Sequence, residues 1–397
     1  MKKLYPALIC LLWSVSVMAA PDLAGVSAGS AFVTQNAAQT LVQQTTDKAV
    51  LNWNNFDVAS DHHVIFQQPN AGSFTLNRVP SFLFPTYIDG RITANGSIAI
   101  VNPQGIFIGP SGVIQSAGFI ASTHDILDSD VMDTDNVLNF NIAPFSPSII
   151  SNQGRMEVST NGKIIIQAPS INMNGGYLKG NRSLIALTNA DSMIMDLSQG
   201  LNQLNLVLSG GDISVQNSSI VNVGEGDVNI IAGNSIVMDN NLIQSTGGDI
   251  HIESVSGDIV FVDNVVVSRG GNDQANVDIG TFSTLPYASG SAEEFVELLP
   301  NNVSETGNGG DIVIRSARIL GDGNCIQSGN INCLYQGQAL KFVKDDIQIH
   351  RENKAQSARH QIEEKTKTFS HRVIESNMVD SDSLLDIQIN NDSSNEE

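Results

Sequence analysis

The chain has 397 residues, with 41 Asp and Glu against 20 Lys and Arg and a formal net charge of −21. That balance argues against nucleic acid as a partner, because phosphate binding needs clustered Lys and Arg, and it disfavours docking on anionic lipid for the same reason. A solvated acidic surface on an extracytoplasmic protein accounts for the charge.

Residues 1–20 open with Lys2 and Lys3, run through Leu8-Ile9-Cys10-Leu11-Leu12-Trp13 and end in Val17-Met18-Ala19-Ala20, with small residues where a signal peptidase cuts. This is the pattern of a removed secretory signal. Its apolar stretch is short of the roughly 20 residues that a spanning helix needs, and no later stretch would span a bilayer as a helix. The expectation is a periplasm-transiting chain with no integral membrane span.

Residues 92–108 are the most informative stretch. Asn95-Gly96 is a turn dipeptide, and Ser97-Ile98-Ala99-Ile100-Val101 is a short run of strand type. Asn102 precedes Pro103, which excludes the helical region for Asn102, and Gly105 then lets Ile106-Phe107-Ile108 begin a new strand. After three strand residues comes another turn, Gly109-Pro110-Ser111-Gly112. Strands this short with corners this regular describe a chain that winds.

The acidic cluster Asp125, Asp128, Asp130, Asp133 and Asp135 follows. Its spacing lacks the glycine and terminal glutamate of a calcium loop, so it is read as a polar loop, with calcium the lesser alternative. From about residue 150 to 320 a theme repeats: a turn with Gly and Asn or Asp, then three to five apolar or alternating residues. Asn152-Gln153-Gly154 returns as Met173-Asn174-Gly175, and Ile164-Ile165-Ile166 as Leu184-Ile185-Ala186. Gly-Asp starts the units at Gly211, Gly226, Gly248, Gly257 and Gly310.

A period in the low twenties with no helical periodicity is the signature of a solenoid whose rungs stack parallel strands into sheets. At ~22 residues per rung, about 300 residues give roughly 13 rungs and a rod of about 60 Å. An antiparallel sandwich or barrel is the competing architecture; it would show tight two-residue hairpin spacing, which these corners lack. Trp53 and Phe56 are expected to cap the open N-terminal end.

Cys325 and Cys333 remain once Cys10 leaves with the signal, an even pair in an oxidising compartment, and a disulfide between them is expected. It would restrict the unfolded chain by about 2.5 kcal/mol. Residues 346–397 read as a charged, helical and then disordered tail ending in an Asp/Ser/Asn-rich stretch.

Six segments in order carry a family resemblance: Leu51-Asn52-Trp53-Asn54-Asn55-Phe56-Asp57-Val58, Val64-Ile65-Phe66-Gln67-Gln68-Pro69-Asn70, Thr75-Leu76-Asn77-Arg78-Val79, Ile88-Asp89-Gly90-Arg91-Ile92-Thr93-Ala94-Asn95-Gly96, Asn102-Pro103-Gln104-Gly105-Ile106 and Gly118-Phe119-Ile120-Ala121-Ser122-Thr123-His124-Asp125-Ile126. Residues 47–126 resemble the N-terminal secretion domain of two-partner secretion exoproteins, the filamentous haemagglutinin family, and most of all its high-molecular-weight adhesin branch. The resemblance implies an all-β, right-handed parallel β-helix, with a secretion domain over residues 21–205, further rungs over 206–320 and a cysteine-pair loop over 321–345. As partner it implies an outer-membrane β-barrel transporter with periplasmic recognition domains, which passes the unfolded chain to the cell surface. It places Asn102, Pro103, Gly105 and Ile106 on the recognition motif, with Asn77, Arg78 and Asn95 in supporting segments. Backbone geometry at β-helix corners demands Asn, Pro and Gly as well, so the two roles carry comparable weight. Some adhesins of that branch keep a C-terminal cysteine pair and stay attached to their transporter, which implies the same for Cys325 and Cys333.

Two departures stand out: Gln104 replaces the more usual Asn, and residues 81–87 are apolar where relatives are polar. The expected function is secretion and then attachment to a host or cell-surface glycan or protein. Parallel β-helices also carry polysaccharide lyases and hydrolases, and exposed sheet faces suit a self-assembling matrix component, so both stand as alternatives. His62, His63, His124 and His251 lie in separate segments, and no catalytic residue, metal site or cofactor is assigned.

Overall fold

The computed structural model describes residues 20–80, 84–144, 148–196, 204–208, 210–268, 277–281, 297–299, 302–304, 310–316, 318–322 and 324–328. The expected signal peptide up to residue 19, Cys333 and the charged tail lie outside these residues.

Short aliphatic runs between Gly, Asn and Asp corners make strands of three residues, as in Thr86–Ile88, to eight, as in Lys48–Asn55. The strands stack into three sheets, here called first, second and third, of 11, 12 and nine strands among the described residues. From Gln39 onward pairing within these sheets is parallel; Phe119, for example, lies between Ile98 of one rung and Ile164 of the next. The fold is a parallel β-helix. Against the roughly 13 rungs expected from chain length, the described residues stack 11 parallel strands in the second sheet and nine in the third, and long excursions at the corners take up chain that adds no rung.

Alternation decides which side chains meet. Ile164 and Ile166 point into a continuous axial core with Ile185 and Leu187, while Ile165 points outward against Ala186. Ile164 therefore stacks on Ile185 rather than on Leu184, one position off the alignment drawn from sequence. A one-residue slip would have turned the buried set outward. Asn152 does stack on Met173, as the repeat anticipated. Each fully buried Ile, Leu or Val contributes about 1.5–3 kcal/mol relative to exposure.

Trp53 and Phe56 do not cap the end. Both are fully buried in the axial core, in edge-to-face contact with centroids 5.0 Å apart. The first rung is instead covered by two antiparallel strands, Asp22–Ala28 on Lys48–Asn55 and Ala31–Asn36 on Gln39–Gln44. Reversing direction there ends the parallel stack, which blunts edge-to-edge growth.

One corner is held by a buried asparagine ladder. The Oδ1 of Asn264 accepts the backbone N–H of Asn241 at 3.2 Å, and the Oδ1 of Asn324 accepts that of Asn264 at 3.0 Å. Their amide groups donate to backbone carbonyls: Asn241 to Val215, Asn264 to Val262 and Asn324 to Phe261. Groups that would otherwise be buried without partners are satisfied rung by rung.

Three excursions depart from this regular winding. The first two leave the corner between first and third sheets, after Gly118–Ser122 and after Leu184–Thr188. They meet as an antiparallel sheet of Val137–Phe140, Ala190–Asp196 and Leu204–Leu208, joined by a short helix, Asp128–Met132. This cover buries the outer face of the first sheet, where Leu76, Ile120 and Ile165 pack with Val131, Phe140 and Met193. The acidic cluster read as a polar loop thus includes a helical turn with a buried Val131.

The third excursion reorders the stack. Strands Val277–Thr281, Glu297–Leu299 and Asn302–Ser304 lie beyond Ile312–Ser316, Arg318–Asp322 and Cys325–Ser328, although they precede them in sequence. Gly310 donates its N–H to Ser268 Oγ at 2.7 Å just as Gly248 does to Ser245 Oγ at 3.1 Å, and Ser245 stacks on Ser268. The chain therefore resumes the solenoid where it left it. Removing residues 271–309 rebuilds the spacing of Ser245 to Gly248, and the shortened chain is expected to keep a cooperative unfolding transition within about 8 °C of the parent. Loss of cooperativity in a thermal melt followed by circular dichroism would show that the excursion is integral to the stack.

Candidate functional site

The corner after Ser97–Val101 turns the chain from the first sheet to the third. Asn102 is fully buried there and makes three hydrogen bonds through its side chain. Its Oδ1 accepts the Gln104 N–H at 2.9 Å, and its Nδ2 donates to Phe84 O at 3.1 Å and Thr86 Oγ1 at 3.0 Å. Pro103 is half-buried. Gly105 has φ +115°, and a Cβ there would stand 2.6 Å from Ile149 O, so the position demands glycine on conformation and space alike. Ile106 is buried in the core, stacked between Thr86 and Ile150.

Asn77 and Arg78 lie one rung earlier, with Arg78 paired to Val101 beside this corner. Asn77 is fully buried; its Oδ1 accepts Trp53 Nε1–H at 3.1 Å and its Nδ2 donates to Ala99 O at 3.2 Å. Arg78 is a hub between solenoid and cover. Its Nε donates to Asp125 at 2.8 Å, its Nη1 to Asp128 at 2.6 Å and its Nη2 to Ile126 O. Burial opposes the guanidinium charge, but the two carboxylates outweigh it and raise the Arg78 pKa. The Asp128 pKa is lowered: burial works against its charge, and hydrogen bonds from Ser27 and Arg78 prevail.

Asn95 sits apart, at the corner from second to first sheet. It exchanges two bonds with the Gln68 backbone, accepting from its N–H at 2.7 Å and donating to its carbonyl at 2.8 Å. The structure thus brings Asn77, Arg78, Asn102, Pro103, Gly105 and Ile106 together and leaves Asn95 at the opposite end of the same strand. Sequence reasoning missed the partners: Thr86, the Phe84 carbonyl, Gln68, and Asp125 with Asp128 as ligands of Arg78. These contacts span 16 to 50 residues, and no local signal announces them.

The apolar segment 81–87 shows its character at its described end. Phe84 and Tyr87 are exposed, and Tyr87 stacks on Phe107 with centroids 5.3 Å apart. The histidines stay separate: His62 bonds Thr40, His63 bonds Thr93 and His251 pairs with Glu253. His124 is buried at the foot of the cover, and burial lowers its pKa against the opposing influence of Asp191. Cys325 is buried on its strand, while Cys333 lies outside the described residues.

The family model of the TPS secretion domain, the domain of two-partner secretion exoproteins, matches residues 17–314. The chain belongs to this family. Two heme/hemopexin-binding proteins of Haemophilus influenzae are similar to it, one 33% identical over 106 residues, covering 27% of this chain and 12% of that protein, the other 36% identical over 90 residues, covering 23% and 10%. The matched segments are thus a small part of those relatives. Among solved structures, the HMW1 secretion domain from Haemophilus influenzae matches with a TM-score of 0.46 at 18% identity, covering 77% of this chain and 98% of that one. The filamentous hemagglutinin secretion domain matches with a TM-score of 0.31 at 11% identity, covering 79% and 100%. The TPS family is one of exported, secreted proteins served by an outer-membrane transporter, and it is not an enzyme family. Among the described residues no helix is long and apolar enough to cross a membrane.

Asn102→Ala removes three hydrogen bonds and is expected to destabilise the chain by about 1–3 kcal/mol in urea unfolding. An unchanged midpoint would mean that the corner holds itself without the side chain. His124 and Asp128 each make stability depend on pH, and His63, whose pKa burial lowers, acts in the same direction as His124. Because the folded His124 resists protonation, the unfolded chain gains protons first as pH falls through about 6.5, and stability declines from there. Below about pH 4 a second loss begins, as Asp128 is protonated and releases Arg78. Melting temperatures from pH 8 to 3 check both, and His124→Gln should flatten the upper slope.

Proposed function

We propose that this chain is the exoprotein of a two-partner pair: it carries a cleaved signal through residue 20, is met in the periplasm by the soluble domains of a β-barrel transporter, and emerges unfolded to fold outside. Burial of the motif carries this reading. Asn77, Asn102, Gly105 and Ile106 are inaccessible in the folded domain, so a transporter that reads them meets them before the rungs close. Asn102 and its neighbours then serve twice, as a recognition sequence in the extended chain and as a corner in the folded one. Rungs that form outside bury apolar surface progressively and bias the chain outward without ATP. Once outside, the rod acts in attachment to a host or cell-surface glycan or protein. Cys325 and Cys333 form a disulfide that retains it at the surface.

The test needs a control with the same turn and a different place. Asn152 is also fully buried, and its Oδ1 accepts the Gly154 N–H at 3.0 Å, the same two-residue turn as Asn102 to Gln104. Surface exposure to protease in intact cells, with and without the transporter, is expected to depend on the transporter and to fall about tenfold in Asn102→Ala but not in Asn152→Ala, corresponding to about 1.4 kcal/mol of recognition. Equal loss in both variants would make Asn102 a structural corner only. Exposure without the transporter would overturn the two-partner reading.

A further inference from the structure

Seven Lys and Arg lie between residues 21 and 268: Lys48, Arg78, Arg91, Arg155, Lys163, Lys179 and Arg182. Three serve the cover. Lys48 donates to Asp133 O, Arg78 holds Asp125 and Asp128, and Lys163 lies half-buried beside Asp196 of the cover. The other four all stand on the second sheet or on a turn that ends one of its strands. Arg91 belongs to Arg91–Ala94, Arg155 to Arg155–Thr160, Lys179 to Tyr177–Asn181, and Arg182 follows that strand.

Register sets them in rows. Successive rungs stack His63, Arg91, Val113, Arg155 and Tyr177 in one row and Ile65, Thr93, Gln115, Glu157 and Lys179 in the next. From Arg91 to Lys179 the rows cross three rung spacings, about 14 Å. Glu157 pairs with Arg155 and Glu225 with Arg182, and Asp89 lies two residues before Arg91, so four cations stand against three anions here, on a chain that is otherwise strongly acidic.

The groups are also held in place. Arg91 Nη2 donates to Gln115 Oε1 at 2.7 Å, Gln115 Nε2 donates to Glu157 Oε2 at 2.9 Å, and Arg155 Nε donates to the other Glu157 oxygen at 2.8 Å. The Arg155 guanidinium lies 4.4 Å over the Tyr177 ring. Such bracing lowers the entropy lost on binding a charged partner, and a guanidinium held flat suits carboxylate or sulfate. Of the exposed large hydrophobic residues, Phe32 and Val223 stand on other strands of the second sheet, Val223 on the strand next to Tyr177–Asn181, while Phe84, Tyr87 and Val207 lie off it, and none stands on the strands from Arg91 to Lys179. A protein partner would want an apolar anchor at the centre of the contact. A linear polymer of hydroxyls and regularly spaced acids does not.

We propose that the second sheet, between Arg91 and Arg182, binds an acidic polysaccharide lying along the stacked rows, with Arg91, Arg155 and Lys179 facing its carboxylate or sulfate groups and Tyr177 and Gln115 lining its path. This rests on the attachment reading, whose partner it narrows to one chemical class, and is independent of export, since the folded chain alone forms the face.

Purified full-length chain is titrated by calorimetry at 50 mM salt with dextran sulfate, a polyuronate and neutral dextran. Binding of at least one acidic polymer, none of dextran, and weakening with salt are expected. The variant Arg91→Gln/Arg155→Gln/Lys179→Gln should weaken binding by about tenfold or more, while Lys163→Gln leaves it unchanged. Lys179→Glu, a single charge reversal at a half-buried position, gives the same direction if the triple variant melts early. Equal binding by the triple and parent chains, no binding by the parent to either acidic polymer, or equal binding of single-stranded DNA of matched charge each overturns the proposal. Export of the triple variant through the transporter should be normal, so that loss of binding and loss of secretion are distinguished.

Discussion

Register between consecutive rungs is the constraint on which the rest depends. With a side-chain period of two, every strand must stack so that residues such as Ile100, Ile166 and Leu187 face the axis together. Once one rung is fixed, the next has one arrangement that keeps its aliphatic side chains dry and its backbone groups paired. Corners are then the only places where the chain has freedom, and there Asn, Gly and Pro replace aliphatic residues. Asn102 and Gly105 on one corner, and Asn241, Asn264 and Asn324 on another, are answers to the same demand that a buried turn leave no polar group orphaned.

How much of this was legible in the sequence follows from distance along the chain. Strand runs such as Ser97–Val101 and Ile106–Ile108 and the corner between them declare themselves within a few residues, because β-branched runs and turn residues act locally. The stacking repeat was legible too, although Ile164 aligned one place off, since three consecutive isoleucines leave alternation ambiguous. The cover was not legible. Its strands pair Val137–Phe140 with Ala190–Asp196 across some fifty residues, and nothing local says that two loops from the same corner should meet. Nor was the placement of Trp53: an aromatic near the N-terminal end suits a cap, but the antiparallel strands took that task and freed it for the core. The candidate site shows the same split, with its own residues readable and their partners Asp125, Asp128 and Thr86 hidden.

On the proposed function, the same residues would answer to two states of the chain: a recognition motif made of corner residues costs the folded domain nothing, because those side chains are required there anyway. Arg78 extends the idea: in the folded domain it joins cover to solenoid through Asp125 and Asp128, so the segment resembling the family's signature ends up as the point where the extra layer is fastened.

The corner excursions separate two quantities that ordinarily move together. In a compact domain, more residues mean a larger core in every direction. Here the loops between first and third sheets add mass to the flank and the detour before Gly310 rejoins the winding where it left it, while the axial advance is set by rungs alone. Length of the rod and length of the polypeptide are therefore independent variables, and lineages of this architecture are free to lengthen their reach or thicken their sides by separate insertions.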